Sequence, residues 1–583
     1  MPTLEWIGKS KVINHHQDVP FRVLERKYSF DENGQHNEDN GSENMIIRGD
    51  NLEALKALLP RYEGRVKCIY IDPPYNTGNE GWVYNDNVND PKIKKWLGEV
   101  VGKEGEDLTR HDKWLCMMYP RLKLLQKLLA DDGVIFISID DTEYANLKLI
   151  CDEIFGSNCF VSNISWQRTY STRNDSKGIV NEVEHLVVYS KLPDWNPNKL
   201  PRTAEMDAKY KNPDNDHTLW RMSDAFAPGA ATHQGMVYAI QHPFTGKMLY
   251  PYNGSCWRYQ QDQMLEIMRG WCEYELRDLN DAHERSVVCG VPESDVRQGV
   301  QAIVLSESLE ISAQKAQAVY DRGQWPRFFF TKGGKGGIAR KTYLENVGGK
   351  LPTNFWAFTE TGHTDEAKKE MLAIFDGKAT FDTPKPHRLI EFVLKVAGNE
   401  NALVLDSFAG SGTTAHAVLN MNKANGGHRK FILVEMMDYA DSITAERVKR
   451  VIRGYGEGKN AVEGTGGNFS FYDLGEPLII GDMLNENVGT NKIREYVYYM
   501  ETRESLPEAG NGNDYFLGTY GGTAYYFYYE KEALTTLNHA FLATIPEKSE
   551  GYIIYADICT VSQEELAKHN ITFKKIPRDI AKL

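Results

Sequence analysis

The chain has 583 residues and a formal net charge of −14, with 67 Lys plus Arg against 81 Asp plus Glu. Its 41% hydrophobic content, with 31 Tyr, 23 Phe and 11 Trp, excludes a wholly disordered chain, and the length predicts roughly three to four domains. No run of about 18 apolar residues occurs, which argues against a membrane span, and we expect no secretory signal at the polar N-terminus.

The first part of the chain alternates between predicted strands and helices. Residues 28–44 are polar and predict a loop. The apolar runs after them predict a strand, a short helix and a second strand, over 44–50, 51–59 and 66–72. An Asn- and Asp-rich segment over 76–113 then predicts a long loop.

The alternation continues beyond this loop. Apolar residues spaced by three and four predict a helix over 114–130, which Pro120 kinks or begins. Later segments predict a strand, a helix and a strand, over 134–139, 143–155 and 184–191. This order indicates an α/β fold with a largely parallel sheet covered on both faces.

The pattern fades between 192 and 350, where Pro, Asn, Trp, Tyr and Gly become frequent. Within this region, 322–350 is locally basic, with seven basic residues and one acidic residue. The α/β pattern then returns with a predicted helix, strand, helix and strand, over 384–398, 402–406, 413–423 and 430–435. From about 470 we expect a separate, tyrosine-rich C-terminal region.

Eight cysteines occur without any CxxC pair, at positions 68, 116, 151, 159, 256, 272, 289 and 559. The spacing argues against a zinc ribbon or a disulfide framework. We therefore expect buried thiols, no metal site and a cytoplasmic location.

One chemically informative motif, Asp72-Pro73-Pro74-Tyr75, follows a predicted buried strand. Loops at the carboxyl ends of such strands form the ligand crevice of open α/β sheets. The Asp72 carboxylate and the Pro73 carbonyl would accept hydrogen bonds from an exocyclic amine on a flat base, while Tyr75 stacks on the ring. The alternative is a strand-terminating turn with an N-capping Asp.

A second motif runs from Asp406 through Phe408, Ala409, Gly410 and Gly412, again between a strand and a helix. Its glycines let the backbone approach a ligand closely. Glu435 ends the next predicted strand, where an acidic residue suits ribose hydroxyls. The alternative for the glycines is tight packing of helix on strand.

Together these motifs resemble those of beta-group, amino-directed DNA methyltransferases, DPPY for catalysis and FxGxG for the cofactor. Further segments look like the modification subunits of type III restriction–modification systems, namely 72–86, 111–141, 383–386 and 573–580. The resemblance implies a Rossmann-like, S-adenosylmethionine-dependent methyltransferase sheet with circularly permuted motif order. It implies an N-terminal arm, a catalytic half, an inserted target-recognition domain, a cofactor-binding half and a C-terminal assembly domain, over 1–43, 44–191, 192–350, 351–470 and 471–583.

The same resemblance implies roles for individual residues. Asp72, Pro73, Pro74 and Tyr75 would handle a flipped adenine. The S-adenosylmethionine pocket would be lined by Asp50, Thr383, Lys385, Asp406, Phe408, Ala409, Gly410, Gly412 and Glu435. For Lys385 the alternative is a solvated lysine at the start of a helix.

The first residue of the catalytic motif bears on the target base. Amino-cytosine enzymes of the family more often carry Ser in that place, so Asp72 favours adenine. C5-cytosine methylation is disfavoured independently, because it needs a thiolate, usually in a Pro-Cys pair, and no such pair occurs.

The middle region is the expected reader of double-stranded DNA. The expected phosphate contacts are Lys332, Lys335, Arg340 and Lys341, where nearby glycines allow close approach. The expected base-edge contacts are Arg168, Arg173, Arg221 and Arg258. The alternative for each of them is a solvated surface charge.

The resemblance also implies partners. The C-terminal region would mediate homodimerisation and hold a restriction subunit. The sequence has no helicase P-loop or nuclease signature, so we expect cleavage and ATP hydrolysis to need a separate chain. We expect the enzyme near the nucleoid. One alternative is a solitary methyltransferase without a restriction partner, and another is a catalytically silent DNA-binding module of the same fold.

Overall fold

The computed structural model describes residues 3–77, 110–170, 179–508, 510, 512–546 and 548–578. They form two compact units, one of Met1–Asn198 with Pro352–Leu583 and the other of Lys199–Leu351. The larger unit begins with α1 Lys9–Val12, α2 His15–Asp18, β1 Arg22–Asp31, β2 Gly34–His36, β3 Met45–Arg48, α3 Asn51–Tyr62, β4 Val66–Ile71, α4 Arg110–Leu128, β5 Leu129–Ile139, α5 Tyr144–Phe155, β6 Phe160–Gln167 and β7 Val183–Ser190.

The smaller unit is inserted between β7 and the return of the α/β pattern. It contains α6 Ala204–Asp207, β8 Trp220–Asp224, β9 Phe226–Pro228, β10 Ile240–Gln241, β11 Met248–Leu249, β12 Ser255–Trp257, α7 Gln261–Met268, β13 Tyr274–Arg277, α8 Ala282–Cys289, β14 Ala302–Leu305, α9 Leu309–Arg322, β15 Phe328–Phe330 and β16 Ile338–Tyr343. Its sheets have the orders β11-β10-β14-β13, β15-β16-β8 and β12-β9.

The larger unit resumes after this insertion. Its elements are β17 Phe355–Trp356, α10 Phe358–Thr361, α11 Thr364–Ile374, α12 His387–Ala397, β18 Leu403–Asp406, α13 Thr413–Asn425, β19 Lys430–Glu435, α14 Glu446–Arg453, β20 Gly454–Tyr455, β21 Val462–Glu463 and β22 Phe469–Pro477. The C-terminal part adds β23 Ile479–Ile480, β24 Met483–Leu484, α15 Thr490–Thr502, β25 Phe516–Tyr520, β26 Thr523–Phe527, β27 Thr536–Leu537, α16 His539–Leu542, β28 Gly551–Ala556, β29 Ile558–Cys559, α17 Gln563–Lys568 and β30 Ile571–Lys575.

An eleven-stranded sheet organises the larger unit, in the order β17-β6-β7-β5-β4-β18-β19-β3-β22-β1-β2. Its central strands from β5 to β22 are all parallel. Antiparallel pairs flank them, with β7 and β6 on one side and β1 and β2 on the other. The predicted α/β fold with a largely parallel sheet is therefore confirmed for the centre of the sheet.

Two predictions about segment boundaries are wrong. Part of the polar segment 28–44 forms the end of β1 and the strand β2, because main-chain pairing with β22 and a hairpin stabilise it despite its polar side chains. Strand β22, over Phe469–Pro477, pairs with β3 and β1, so these residues belong to the large sheet and not to a separate C-terminal region.

The helices that follow the central strands bury their apolar faces against the sheet. In α4, the buried residues include Trp114, Leu115, Met118, Leu122 and Leu125. Pro120 lies well inside this helix, so it does not mark the first turn. The predicted long loop overlaps this helix at 110–113, and 78–109 lie outside the described residues.

All eight cysteines are free thiols, and seven of them are buried, as predicted from their spacing. Among the described residues, no helix is long and apolar enough to cross a membrane.

Candidate active site

Four neighbouring parallel strands end at one edge of the large sheet, in the order β4, β18, β19 and β3. Parallel strands share their carboxyl edge, so the residues that end or follow them meet there. This geometry brings together four acidic residues that the sequence separates, namely Asp72, Asp406, Glu435 and Asp50.

Asp72 lies directly after β4 and is held in a cluster of polar groups. Lys385 Nζ lies 2.9 Å and 2.8 Å from its two carboxylate oxygens, and Tyr75 donates its hydroxyl to Oδ1 at 2.9 Å. The main chain of the motif is also anchored, because Trp114 Nε1 donates to the Pro74 carbonyl at 2.7 Å. The structure therefore brings Lys385, predicted as a cofactor residue, onto the predicted catalytic carboxylate.

Glu184 supplies a second carboxylate for the same lysine. Its Oε2 lies 3.5 Å from Lys385 Nζ and accepts from the Tyr75 hydroxyl at 3.1 Å, while its Oε1 accepts from Arg168 at 2.7 Å. Glu184 is 6% exposed, so this cluster is shielded from water. Lys385 thus lies between the buried Glu184 and the part-buried Asp72, in contact with Asp72 and close to Glu184.

Burial and charge act in opposite directions in this cluster. Burial raises the pKa of the Asp72 carboxyl, and Lys385 only partly offsets it. Burial alone would lower the pKa of Lys385, but Asp72 and Glu184 raise it above its ordinary value. Burial would likewise raise the pKa of Glu184, which Lys385 and Arg168 lower. Lys385 therefore stays charged, and Asp72 is the more basic of its two carboxylates.

The glycine loop between β18 and α13 is tied to the next strand. Gly410 N donates to Glu435 Oε2 at 2.8 Å, and Ala409 N donates to the Val434 carbonyl at 3.1 Å. Gly412 has φ +82°, and a Cβ there would lie 3.0 Å from the Thr444 carbonyl oxygen. Gly412 is therefore required by both conformation and space.

Asp406 is the last residue of β18 and directly precedes the glycine loop. It accepts from Phe408 N at 3.0 Å and from Thr414 Oγ1 at 2.6 Å. Burial raises the pKa of the Asp406 carboxyl to about 7, despite these donors. Beside it, the Ser407 hydroxyl is buried and has no hydrogen-bond partner among the described residues. Asp406 and Ser407 thus leave polar capacity that a ligand of the loop can use.

The two remaining predicted cofactor residues are Asp50 and Thr383. Asp50 caps α3, accepting from Leu52 N at 2.9 Å, and Gly49 N donates to the Glu435 carbonyl at 3.0 Å. Thr383 is half-buried and precedes the buried segment 384–386. In the same segment, the Lys385 carbonyl accepts from Thr413 Oγ1 at 3.2 Å, which joins the lysine to the glycine loop.

A part-buried cluster of ionisable groups is joined to the loop through Arg447. Glu370, His387 and His416 are spaced as metal ligands would be. However, Arg447 donates to Glu370 at 3.2 Å and lies 3.1 Å from His416 Nδ1, so a guanidinium already supplies the positive charge there. Arg447 also donates to Ser411 and Thr413, at 2.9 Å and 2.8 Å, and thus fixes the loop from below.

The predicted DNA contacts fall into different environments. Arg221, Arg258, Lys332 and Lys335 are exposed, and Arg340 is half-buried. Arg168 is paired with Glu184 beside Tyr75, at the candidate active site and outside the inserted unit. Arg173 lies outside the described residues.

Lys341 contradicts the prediction that it contacts phosphates. Its side chain is fully buried, forms ion pairs with Asp214 and Asp216, and donates to the Trp325 carbonyl at 2.7 Å. It faces the interior because side chains alternate along β16, and two carboxylates neutralise it there.

Glu184 is the residue that sequence reasoning missed. It begins the predicted strand 184–191, whose direction an apolar run does not reveal. Because β7 runs antiparallel to β5, its first residues lie at the edge where β4 and β5 end. An acidic residue at the start of a buried strand was the available signal, but it needed the strand direction to be interpreted.

Comparisons with known proteins bear on this site. Residues 66–446 match the family model of N6/N4 methyltransferases, described as DNA methylase. The StyLTI Mod subunit of a type III restriction–modification enzyme from Salmonella typhimurium is 33% identical, covering 71% of this chain and 58% of that protein. The EcoPI Mod subunit from Escherichia phage P1 is 30% identical, covering 74% and 63%.

A further relative differs in its printed class. The type II methyltransferase M.KpnI from Klebsiella pneumoniae is 30% identical, covering 68% of this chain and 81% of that protein. The chain spans less than two thirds of the length of the two Mod subunits, whereas it covers most of the type II enzyme.

Proposed function

The chain belongs to the N6/N4 DNA methylase family, and from this premise we propose that it transfers a methyl group from S-adenosylmethionine to the N6 amine of adenine in duplex DNA. The observation that carries the proposal is the place of Asp72, a part-buried carboxylate that follows β4, beside the glycine loop that follows β18. A carboxylate suited to accept from an amine and a glycine loop suited to a cofactor therefore follow two adjacent strands.

Asp72 would orient the target amine and receive its proton. The lone pair of an exocyclic amine is delocalised into the ring, and hydrogen bonds to Asp72 and the Pro73 carbonyl would favour a nitrogen that can attack. Transfer forms the N–CH3 bond, breaks the S–CH3 bond and releases one N6 proton. Because burial raises the pKa of Asp72, its carboxylate is suited to take that proton.

Before DNA binds, the Lys385 ammonium would occupy Asp72, the proposed hydrogen-bond acceptor of the target amine. Its ammonium contacts both Asp72 oxygens, so an incoming amine must displace it. Glu184, 3.5 Å from the same Nζ, offers the alternative position. A shift of the ammonium from Asp72 to Glu184 would free the acceptor without leaving a buried charge unpaired.

The residues of the glycine loop suit the proposed cofactor. The unpartnered Ser407 hydroxyl, the Asp406 carboxyl and the Gly410–Glu435 contact offer polar groups to a ligand that carries a ribose and a positive charge. When bound, S-adenosylmethionine supplies an electrophilic methyl group on sulfur. Asp406, Phe408, Ala409, Gly410, Gly412 and Glu435 would hold it, with Asp50 and Thr383 at its ends.

We propose further that the target adenine is flipped out of the duplex, which costs a few kcal/mol. The inserted unit Lys199–Leu351 would recognise DNA, and the part after β22 would serve in assembly. By likeness to the Mod subunits, the chain would form a homodimer and act with a restriction subunit in the cytoplasm, near the nucleoid. The alternative is a solitary methyltransferase, in line with the type II relative.

The proposal is tested by transfer of a labelled methyl group to unmethylated DNA, followed by identification of the modified base. Asp72→Ala and Asp72→Asn should abolish transfer while cofactor binding, measured by calorimetry, is retained. Asp482→Asn is a matched control, because Asp482 is exposed and far along the chain from the site. Normal methylation by Asp72→Ala would show the mechanism to be wrong.

Two further results separate the alternatives. No transfer to any DNA by the parent protein would support a silent binding module. Co-purification with a helicase–nuclease chain would support a type III system, and its absence from cells that carry the methylated site would support a solitary enzyme.

A further inference from the structure

The inserted unit contains an aromatic groove with a volume of about 340 Å³. Tyr320 and Trp325 stack at its wall with ring centroids 4.6 Å apart. Trp325 also contacts Phe329 and Trp220, at centroid distances of 5.7 Å and 6.3 Å. Tyr320 and Trp325 are half-buried, so part of this aromatic wall is open to a ligand.

The groove offers ring faces without indole donors. Trp325 Nε1 donates to the Tyr320 carbonyl at 3.0 Å, and Trp220 Nε1 donates to Asp214 Oδ1 at 2.8 Å. A ligand would therefore be held by stacking, which every nucleobase can provide, and not by hydrogen bonds that read one base.

The buried ion pair below the groove fixes the position of Trp325. Asp214 Oδ2 accepts from Trp325 N at 2.8 Å, and Lys341 Nζ donates to the Trp325 carbonyl at 2.7 Å. Lys341 and Asp214 are themselves paired with no exposed surface. The aromatic wall is thus arranged before any ligand arrives, which lowers the cost of binding.

Four basic residues line the same groove, Lys209, Lys211, Arg221 and Lys332. All four are exposed, and none forms an ion pair with a described residue. The lining contains no carboxylate. The charge of the groove is therefore uncompensated, which favours a phosphate-bearing ligand.

From these observations we propose that the groove binds a nucleotide of a DNA strand whose base has left the double-helical stack. Both faces of a base in intact duplex are covered by its neighbours, so only an unstacked base can pack on Trp325. The four cations would contact the phosphates on either side. The choice of DNA rests on the proposed function, but the groove shares no residue with the cluster around Asp72.

The test compares affinities of the full chain for a labelled single strand and for a fully paired duplex, by fluorescence anisotropy. Trp325→Ala should weaken single-strand binding about tenfold and duplex binding much less. The double variant Lys211→Ala with Lys332→Ala leaves the aromatic wall in place. It should reduce the slope of log affinity against log salt by about 1.4 for the single strand.

Lys247→Ala is the matched control, since Lys247 is an exposed lysine of the same unit outside the groove. Single-strand affinities of the groove variants equal to that of Lys247→Ala would overturn the proposal. If Trp325→Ala weakened binding of the single strand and of the paired duplex equally, the proposal that the groove binds an unstacked base would be overturned.

The outcome is distinguishable from that of the proposed function. Asp72→Ala should bind a single strand without adenine like the parent, because the substitution leaves the groove residues in place and no target amine is involved. If Asp72→Ala still methylates DNA, the proposed mechanism fails, and if the parent protein methylates no DNA, the proposed function fails; the binding result stands in both cases. If Asp72→Ala is inactive but the groove variants bind normally, only the groove proposal fails.

Discussion

Two buried lysines, one in each unit, are each bracketed by two carboxylates. Lys341 pairs with Asp214 and Asp216, and neither its side chain nor that of Asp214 is exposed. Lys385 pairs with Asp72, whose side chain is 14% exposed, and lies 3.5 Å from Glu184. Lys341 contacts both of its carboxylates and a main-chain carbonyl, whereas Lys385 contacts one carboxylate and has the other within reach.

The difference teaches how one pattern of charges serves two purposes. A lysine with both carboxylates in contact is a structural anchor, and any exchange of partners would leave a charge unpaired. A lysine with one carboxylate in contact and another within reach can exchange them. We expect substitutions at Lys341 to affect stability first and substitutions around Lys385 to affect transfer first.

The largest effect should follow from Lys341→Met. It removes the cation that neutralises Asp214 and leaves a buried carboxylate without its partner, which typically costs about 3–5 kcal/mol. Chemical denaturation should show this loss in the inserted unit. A variant that unfolds at the same denaturant concentration as the parent would break the comparison, because Lys341 would then not anchor the unit.

Lys385→Met is the matched substitution in the other cluster. It should abolish labelled-methyl transfer, because without the ammonium the pKa of Asp72 rises further and a protonated carboxyl no longer accepts from the amine. Chemical denaturation should show a smaller change in unfolding free energy than for Lys341→Met, because Asp72 keeps its contact with Tyr75 and partial exposure to water.

A smaller effect is expected from Glu184→Gln, which removes the second position for the ammonium. Lys385 would remain on Asp72, so the KM for DNA should rise and kcat should fall, by about 10-fold to 100-fold together. Steady-state transfer at varied DNA concentration measures this, and calorimetry should show unchanged cofactor affinity. A fall in cofactor affinity alone would show that Glu184 does not act through Lys385.

We expect pH to change the cofactor affinity by a smaller factor than Glu184→Gln changes methyl transfer. The pKa of Asp406 is raised to about 7 by burial, so its carboxylate gains a proton as the pH falls through 7. An uncharged Asp406 attracts a positively charged cofactor less, and affinity should fall by up to about tenfold at one pH unit below that value. Asp406→Asn should bind weakly at all pH values and lose this dependence.

Folding stability should change in the opposite direction with pH. Between the ordinary pKa of an aspartate and about pH 7, Asp406 is protonated in the folded chain and ionised in the unfolded chain. This group therefore contributes more stability as the pH falls through 7. Thermal unfolding of the parent and of Asp406→Asn over this range separates its contribution from those of other groups.

The smallest effect is expected at Lys335, an exposed lysine between β15 and β16 on the same hairpin as Lys341. Lys335→Ala should leave the free energy of unfolding within about 0.5 kcal/mol of the parent. If Lys335 contacts a phosphate, the salt slope of duplex binding should fall by about 0.9. An unchanged slope would leave it a solvated surface charge.

Much of the active site could be predicted from local sequence. Asp72, Asp406 and Glu435 each follow or end an apolar run, and such runs form buried parallel strands whose carboxyl ends meet. Gly412 was predictable as well, because a turn from strand to helix needs a residue without a side chain there. Lys385 was identified by resemblance, but its contact with Asp72 was not.

The remaining features depended on the direction of individual strands and on the partners of buried side chains. Glu184 joins the site only because β7 runs antiparallel, which an apolar run does not reveal. Lys332, Lys335 and Lys341 look alike within one basic segment, yet only Lys341 points inward. The position of β22 in the large sheet likewise depends on pairing with β3, more than 400 residues away in the chain.

The sequence by itself determined the α/β class, the strands that end in acidic residues and the glycine loop, because these depend on hydrophobic runs and on neighbouring residues. Only the tertiary structure decided which lysine is an anchor and which lies at the catalytic carboxylate. A buried ammonium is defined by its partners, and Asp214 and Asp72 lie 127 and 313 residues from the lysines they hold.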